Sequence, residues 1–216
     1  MDNPTPPNDS LVLSYLGLRK AIGIIGIALP FVLVIGKFLL QGPGIEVSIS
    51  DYYYTDMRNV FVGSLCAIAI FLMSYRGYDQ SDRIAGALAC GFAIGVALFP
   101  TTPGGEPTSE DQFVGHLHIV FACCFFLTLA FFSLVLFRKT DQVYPTRKKL
   151  QRNIVYTACG YIILGCIILI GIVNLPAIKP LIGSLDPVFW FESIAVVAFG
   201  VSWLTKGEAI LKDDAT

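Results

Sequence analysis

Hydrophobic positions in this chain fill six continuous runs, at 21–40, 59–75, 84–100, 113–137, 153–175 and 188–204, with polar residues gathered between them. Each run is close to the ~20 helical residues that cross a bilayer hydrocarbon core of ~30 Å. Unbroken runs predict helices, because membrane strands show alternating segments of about ten residues and open sheet edges are not tolerated in lipid. The expected fold is all-α, a polytopic integral membrane protein built as a six-transmembrane-helix bundle. The second and sixth runs are short, and are expected to tilt, to thin the bilayer or to lean on interfacial tyrosine and tryptophan.

The polar segments divide the chain further. Residues 1–10, M-D-N-P-T-P-P-N-D-S, offer nothing to bury after Met1, so 1–18 is expected to be a disordered or amphipathic tail. A transmembrane domain at 19–205 and a cytoplasmic tail at 206–216 complete the organisation. No removable signal peptide is expected. Twelve of the fifteen basic residues fall on one side of the six runs: Arg19, Lys20, Arg76, Arg83, the cluster from Arg138 to Arg152, Lys206 and Lys212. Lys37, Arg58 and Lys179 alone fall on the other. By the positive-inside rule both termini are expected to be cytoplasmic. The expected location is a cell membrane, the inner one in a bacterial source.

Composition agrees with the pattern. Hydrophobic residues make up 55% and charged residues 14%, with a mean hydropathy of +0.68, where soluble domains carry roughly a quarter charged residues. A net charge of −1 argues against a nucleic-acid partner, and the R-K-K at 147–149 reads as a topological determinant that meets anionic headgroups. All six cysteines, Cys66, Cys90, Cys123, Cys124, Cys159 and Cys166, lie inside apolar runs. They read as small buried hydrophobes and not as disulfide or metal ligands.

Candidate chemistry concentrates opposite the basic side. The stretch 45–63, I-E-V-S-I-S-D-Y-Y-Y-T-D-M-R-N-V-F-V-G, packs Asp51, three tyrosines, Asp56, Arg58 and Asn59 between two apolar runs. On the same side lie Glu110, Asp111, His116, His118, Asp186, Trp190 and Glu192. Glu192 falls about a turn inside the sixth run, where an unpaired carboxylate costs a few kcal/mol. It is expected to face the bundle, with Arg58 its best partner and His116 or His118 next. The two histidines are two residues apart, about 200° around a helix, so at most one enters a shared pocket. Ser48, Ser50 and Asp51 in S-I-S-D have the sequence of a cap or turn. Tyr52, Tyr53 and Tyr54 suit an interfacial aromatic belt. Gly86, Gly91 and Gly95 form a small-residue ridge that would let the third helix pack centrally.

The combination S-I-S-D-Y-Y-Y-T-D-M-R-N-V-F-V-G, then F-L-M-S-Y-R-G-Y-D, then G-V-A-L-F-P-T resembles a widespread group of bacterial six-helix membrane proteins classed under a domain of unknown function. The layout is more distantly similar to DRAM/Sfk-type membrane proteins, which are linked to lipid organisation. The resemblance implies a six-helix fold and transfers no catalytic motif.

Three functions fit these residues. The leading expectation is a bundle whose outer-leaflet polar pocket, rimmed by Asp51, Arg58, His116, Trp190 and Glu192, binds or moves a lipid or small amphiphile. The second is a metal-assisted intramembrane lipid hydrolase, with His116 as base and Asp51 or Glu192 as metal ligand or orienting acid. The third is a structural subunit whose polar rim contacts a membrane protein partner. No cofactor is expected, and membrane lipids are the expected partners.

Overall fold

The computed structural model describes residues 9–75, 77–141 and 143–212. Residues 1–8 of the expected tail, Arg76 and residues 213–216 lie outside them. The described residues are helical, with no strand among them: α1 (Asp9–Gln41), α2 (Arg58–Met73), α3 (Gln80–Leu98), α4 (Ser109–Phe131), α5 (Arg147–Val173), a one-turn α6 (Lys179–Ile182) and α7 (Pro187–Lys206). A 3-10 turn, Ser50–Tyr54, precedes α2, and a π turn, Phe132–Leu136, extends α4. Five helical stretches, within α1, α3, α4 with its π turn, α5 and α7, are long and apolar enough to cross a membrane. These are the features of a multi-pass membrane protein. The 16 residues of α2 reach about 24 Å, short of a hydrocarbon core of about 30 Å.

The helices begin earlier than the apolar runs because their caps lie in the preceding polar segments. Asp79 accepts from Ser81 N–H at 2.9 Å and opens α3 in a capping box with Asp82. Thr108 and Asp111 do the same for α4, and Thr146 caps α5 by accepting from Lys149 N–H at 3.0 Å. Each cap satisfies N–H groups that a helix start leaves without intrahelical acceptors. At the N-terminus α1 is already helical at Asp9, so the second half of the expected tail is continuous with the first apolar run.

The helices close a ring in the order α1, α2, α3, α4, α5, α7, each packed on the next, with α7 returning to α1 and also touching α4. Short connections put sequence neighbours side by side and antiparallel. One end of the ring carries the segments 42–57, 99–108 and 174–186 (the loop end), and the other carries the starts of α1, α3 and α5 and the end of α7 (the terminal end). Backbones approach closely between α1 and α7. A Cβ on Gly200 would lie 2.7 Å from Gly23 O, and one on Gly23 would lie 2.8 Å from Gly200 O. Small residues let membrane helices pack this tightly where lipid supplies no hydrophobic drive.

The ridge on α3 serves a different purpose from central packing. Gly86 sits against the Leu72 carbonyl and Gly95 against the Phe121 ring, while Gly91 faces open space. α3 therefore occupies one place in the ring between α2 and α4, and α7 is the most deeply buried of the five long helices.

At the terminal end Tyr75, Phe132, Phe137 and Trp203 form one nest, with ring centroids 5.0 to 5.7 Å apart in the closest pairs. Beside it Lys139 binds Asp79 at 2.9 Å and the fully buried Asp82 at 3.0 Å, tying the end of α4 to the start of α3.

Candidate functional site

At the loop end, the chain between α1 and α2 turns back into the ring. Ser48, Ile49, Ser50, Tyr52 and Met57 are all buried. A buried loop needs acceptors for its N–H groups, and the neighbouring helices provide them. Glu192, in the second turn of α7, accepts from Ile49 N–H at 2.7 Å, and the Ser50 backbone lies close by. In return Phe189 N–H, one of the orphan donors at the start of α7, donates to Val47 O at 3.0 Å. The turn closes on itself as the S-I-S-D pattern suggests, with Asp51 N–H donating to Ser48 Oγ at 3.1 Å.

Asp51 extends the network to the segment between α3 and α4. Its Oδ1 accepts from Thr101 Oγ1 at 2.6 Å, and Tyr54 OH donates to Thr101 O at 2.5 Å. His118, nearly fully buried, places Nδ1 2.6 Å from Phe99 O. A carbonyl can only accept, so Nδ1 carries the hydrogen and the neutral ring leaves Nε2 as its acceptor. Asp51 is close enough to act electrostatically on both His118 and Glu192.

The five residues expected to rim one pocket thus separate. Asp51 and Glu192 are brought together around the 3-10 turn. Arg58 stacks on the Tyr53 ring, 4.0 Å from its centroid, and donates to the Tyr53 hydroxyl; Glu192 accepts from the Ile49 backbone N–H instead. His116 is exposed and hydrogen-bonded to Gln112 O of its own helix at 2.6 Å. Trp190 is 53% exposed on the outer face of the ring. The histidine that joins the buried network is His118. Of the three tyrosines, Tyr52 is fully buried and its hydroxyl has no partner among the described residues, while Tyr54 is exposed. Burial pushes both phenols above the usual tyrosine range.

Two spaces adjoin this network. The first is an internal cavity of about 40 Å³ beneath Glu192, lined by Leu29, Ile49, Ser50, Phe61, Phe125 and Glu192 among others. It has room for about one to three waters and is far below the roughly 300 Å³ at which small-molecule pockets begin. The second is a groove of about 550 Å³ on the outer face of the ring between α1, α5 and α7. Val34, Ile45, Cys159, Trp190, Val197 and Val201 mark its extent. Along α7 it runs from Phe189 to Val201, a rise of about 18 Å. Its loop-end mouth lies next to the Lys37–Glu46 ion pair, 2.6 Å, which brackets Ile45 in space.

The groove was not foreseen in the sequence. Its walls come from three helices that are not all adjacent in the chain, and each wall taken singly is an ordinary apolar helix face. A metal centre is not assembled at either space, since no three His, Cys, Asp or Glu side chains converge among the described residues. No family model, curated protein or solved structure matches the chain; its own geometry offers a loop end in which the Glu192 carboxylate accepts from a backbone N–H and that of Asp51 from the Thr101 hydroxyl, and beside it an open apolar groove.

Proposed function

We propose that this protein binds a membrane lipid or a comparable amphiphile, holding its chain in the groove between α1, α5 and α7 and its polar end near the loop-end mouth. In this reading the five long helices and α2 all cross the membrane, α2 by local thinning of the bilayer. Both termini face the cytoplasm, because the basic residues gather at the terminal end. The groove then lies in the outer leaflet. The observation that carries the proposal is its length: about 18 Å along α7 is close to one leaflet of a core about 30 Å thick. Its apolar lining suits an acyl chain, and Trp190 stands at the level where tryptophan meets headgroups. The Lys37–Glu46 pair beside the mouth offers both signs of charge to a polar end.

The polar network contributes by shutting the adjacent end of the ring. With Glu192 holding the 42–57 segment and Asp51 tying that segment to Thr101, the interior is sealed and the amphiphile stays on the outer face. The lipid hydrolase reading gains no support from the same geometry, because His116 is exposed and bonded to Gln112 O of its own helix.

Native mass spectrometry of the gently solubilised protein tests the proposal. The wild type is expected to retain one lipid-sized adduct, and Val197→Trp, which fills the groove from α7, is expected to reduce retention at least tenfold. Equal retention by both proteins, or none by the wild type, contradicts it.

A further inference from the structure

The terminal end holds a second concentration of polar groups that the groove does not involve. Arg19, Lys149, Arg152 and Lys206 come together there around the aromatic nest. Three of them serve carbonyls at chain or helix ends: Lys149 Nζ donates to Phe137 O at 2.8 Å, Arg152 to Leu211 O at 2.9 Å and Arg19 to Lys206 O at 3.4 Å. Cations are favourable at such ends, where the helix dipole is negative. Lys206 differs from them. Its ammonium makes no hydrogen bond and no ion pair among the described residues, and lies 5.1 Å from the Tyr78 ring centroid and 5.6 Å from that of Phe137.

The surroundings of Lys206 are short of acceptors. Arg19, Lys149 and Arg152 are near enough to repel it, and Asp82, the acid near enough to attract it, is already bound to Lys139. Two further donors in the same nest have no acceptor among the described residues. They are Arg19 Nε, whose guanidinium lies 5.5 Å from the Tyr75 ring centroid, and Trp203 Nε1, whose ring lies 5.3 Å from the same tyrosine. Buried donors without acceptors are costly. An ammonium with no acid of its own, beside two such donors, marks a place that an acceptor-rich anion would complete.

We infer that the terminal end is a binding site for a phosphate-type anion, with Lys206 and Arg19 at the seam of α1 and α7 as its principal contacts. On the basic side of a membrane protein, the headgroup of an anionic phospholipid supplies that chemistry. A soluble phosphate would supply it equally.

The test uses the full-length protein in nanodiscs of phosphatidylcholine, alone or mixed with phosphatidylglycerol, with retained lipid read by native mass spectrometry and inorganic phosphate as a second probe. The wild type is expected to retain phosphatidylglycerol in roughly five- to tenfold preference over phosphatidylcholine, and Lys206→Gln to lose about fivefold of that preference. Lys206→Arg, which keeps the charge, is expected to retain most of it. If the soluble anion is the occupant, millimolar inorganic phosphate raises the thermal midpoint of the wild type in phosphatidylcholine discs and not that of Lys206→Gln. A wild type with neither lipid preference nor phosphate response overturns the inference without reference to any variant. So does a Lys206→Gln protein that keeps whichever response the wild type shows.

Discussion

Glu192 shows how a residue's setting decides its part. A carboxylate inside an apolar run needs a partner, and a charged side chain is the natural candidate in a sequence. The partner here is the N–H group of Ile49, which leaves Arg58 to Tyr53. Glu192 therefore works as a latch for the 42–57 segment. Glu192→Ala strands the buried Ile49 N–H and is expected to cost about 1–3 kcal/mol, lowering the thermal midpoint and speeding hydrogen exchange at residues 47–55. Glu192→Gln keeps a carbonyl acceptor and is expected to lose much less. Exchange at 47–55 that is unchanged in the alanine variant would show that the segment is held by something else.

The presence of a polar cluster at this end was legible in the sequence, and the S-I-S-D turn was as well. What was not legible is which side chains meet. Backbone donors leave no trace in a pattern of side chains, so the true partner of Glu192 had no signal. The choice between His116 and His118 turned on the rotation of α4, which Phe99 O fixes by receiving His118.

Among the elements, apolar runs located the helices because lipid demands continuous hydrophobicity. Their starts were displaced because Asp79, Thr108 and Thr146 cap them from outside those runs. Ring order and the α1–α7 crossing depended on contacts between elements far apart in sequence. That crossing rests on Gly23 and Gly200. Gly200→Val would drive methyl groups into the α1 backbone, and overpacking of this kind costs typically about 1–3 kcal/mol. Gly171→Ala, on α5 facing open space, is expected to be neutral. Thermal unfolding in one detergent compares them, and equal midpoints would mean that α1 and α7 are not in backbone contact.

The join between α3 and α4 is pH-dependent with a definite sign. Hydrogen bonding from the Lys139 ammonium, helped by Ser81, holds the Asp79 carboxyl down at about 2. Slight burial works against the Lys139 charge, but its bonds to Asp79 and Asp82 outweigh that and raise it above the usual lysine value. A depressed acid stabilises the fold fully above its ordinary value of 3.8 and loses that contribution as pH falls towards 2. A raised base contributes fully below 10.5 and loses its share only at still higher pH. The midpoint difference between wild type and Asp79→Asn should therefore be flat from about pH 5 to 9 and shrink below pH 4. A difference that grows on acidification would contradict this pairing.

For the whole molecule, the two ends of the ring solve the same problem with opposite charges. At the loop end, carboxylates of α7 and the 3-10 turn receive N–H and O–H donors. At the terminal end, lysine and arginine supply donors to carbonyls. The loop end is thereby closed, and the amphiphile-sized space lies on the outer face between α1, α5 and α7. The account rests on that groove being occupied by a lipid chain. Photo-crosslinking in nanodiscs with a phospholipid that carries a diazirine midway along one acyl chain tests it most directly, with the modified residues located by peptide mass spectrometry. The prediction is that labels concentrate on groove residues such as Val34, Ile194 and Val197, severalfold above the exposed faces of α3 and α4. Labels spread evenly over all exposed helix faces would contradict it, because the groove would then be one more stretch of lipid-facing surface.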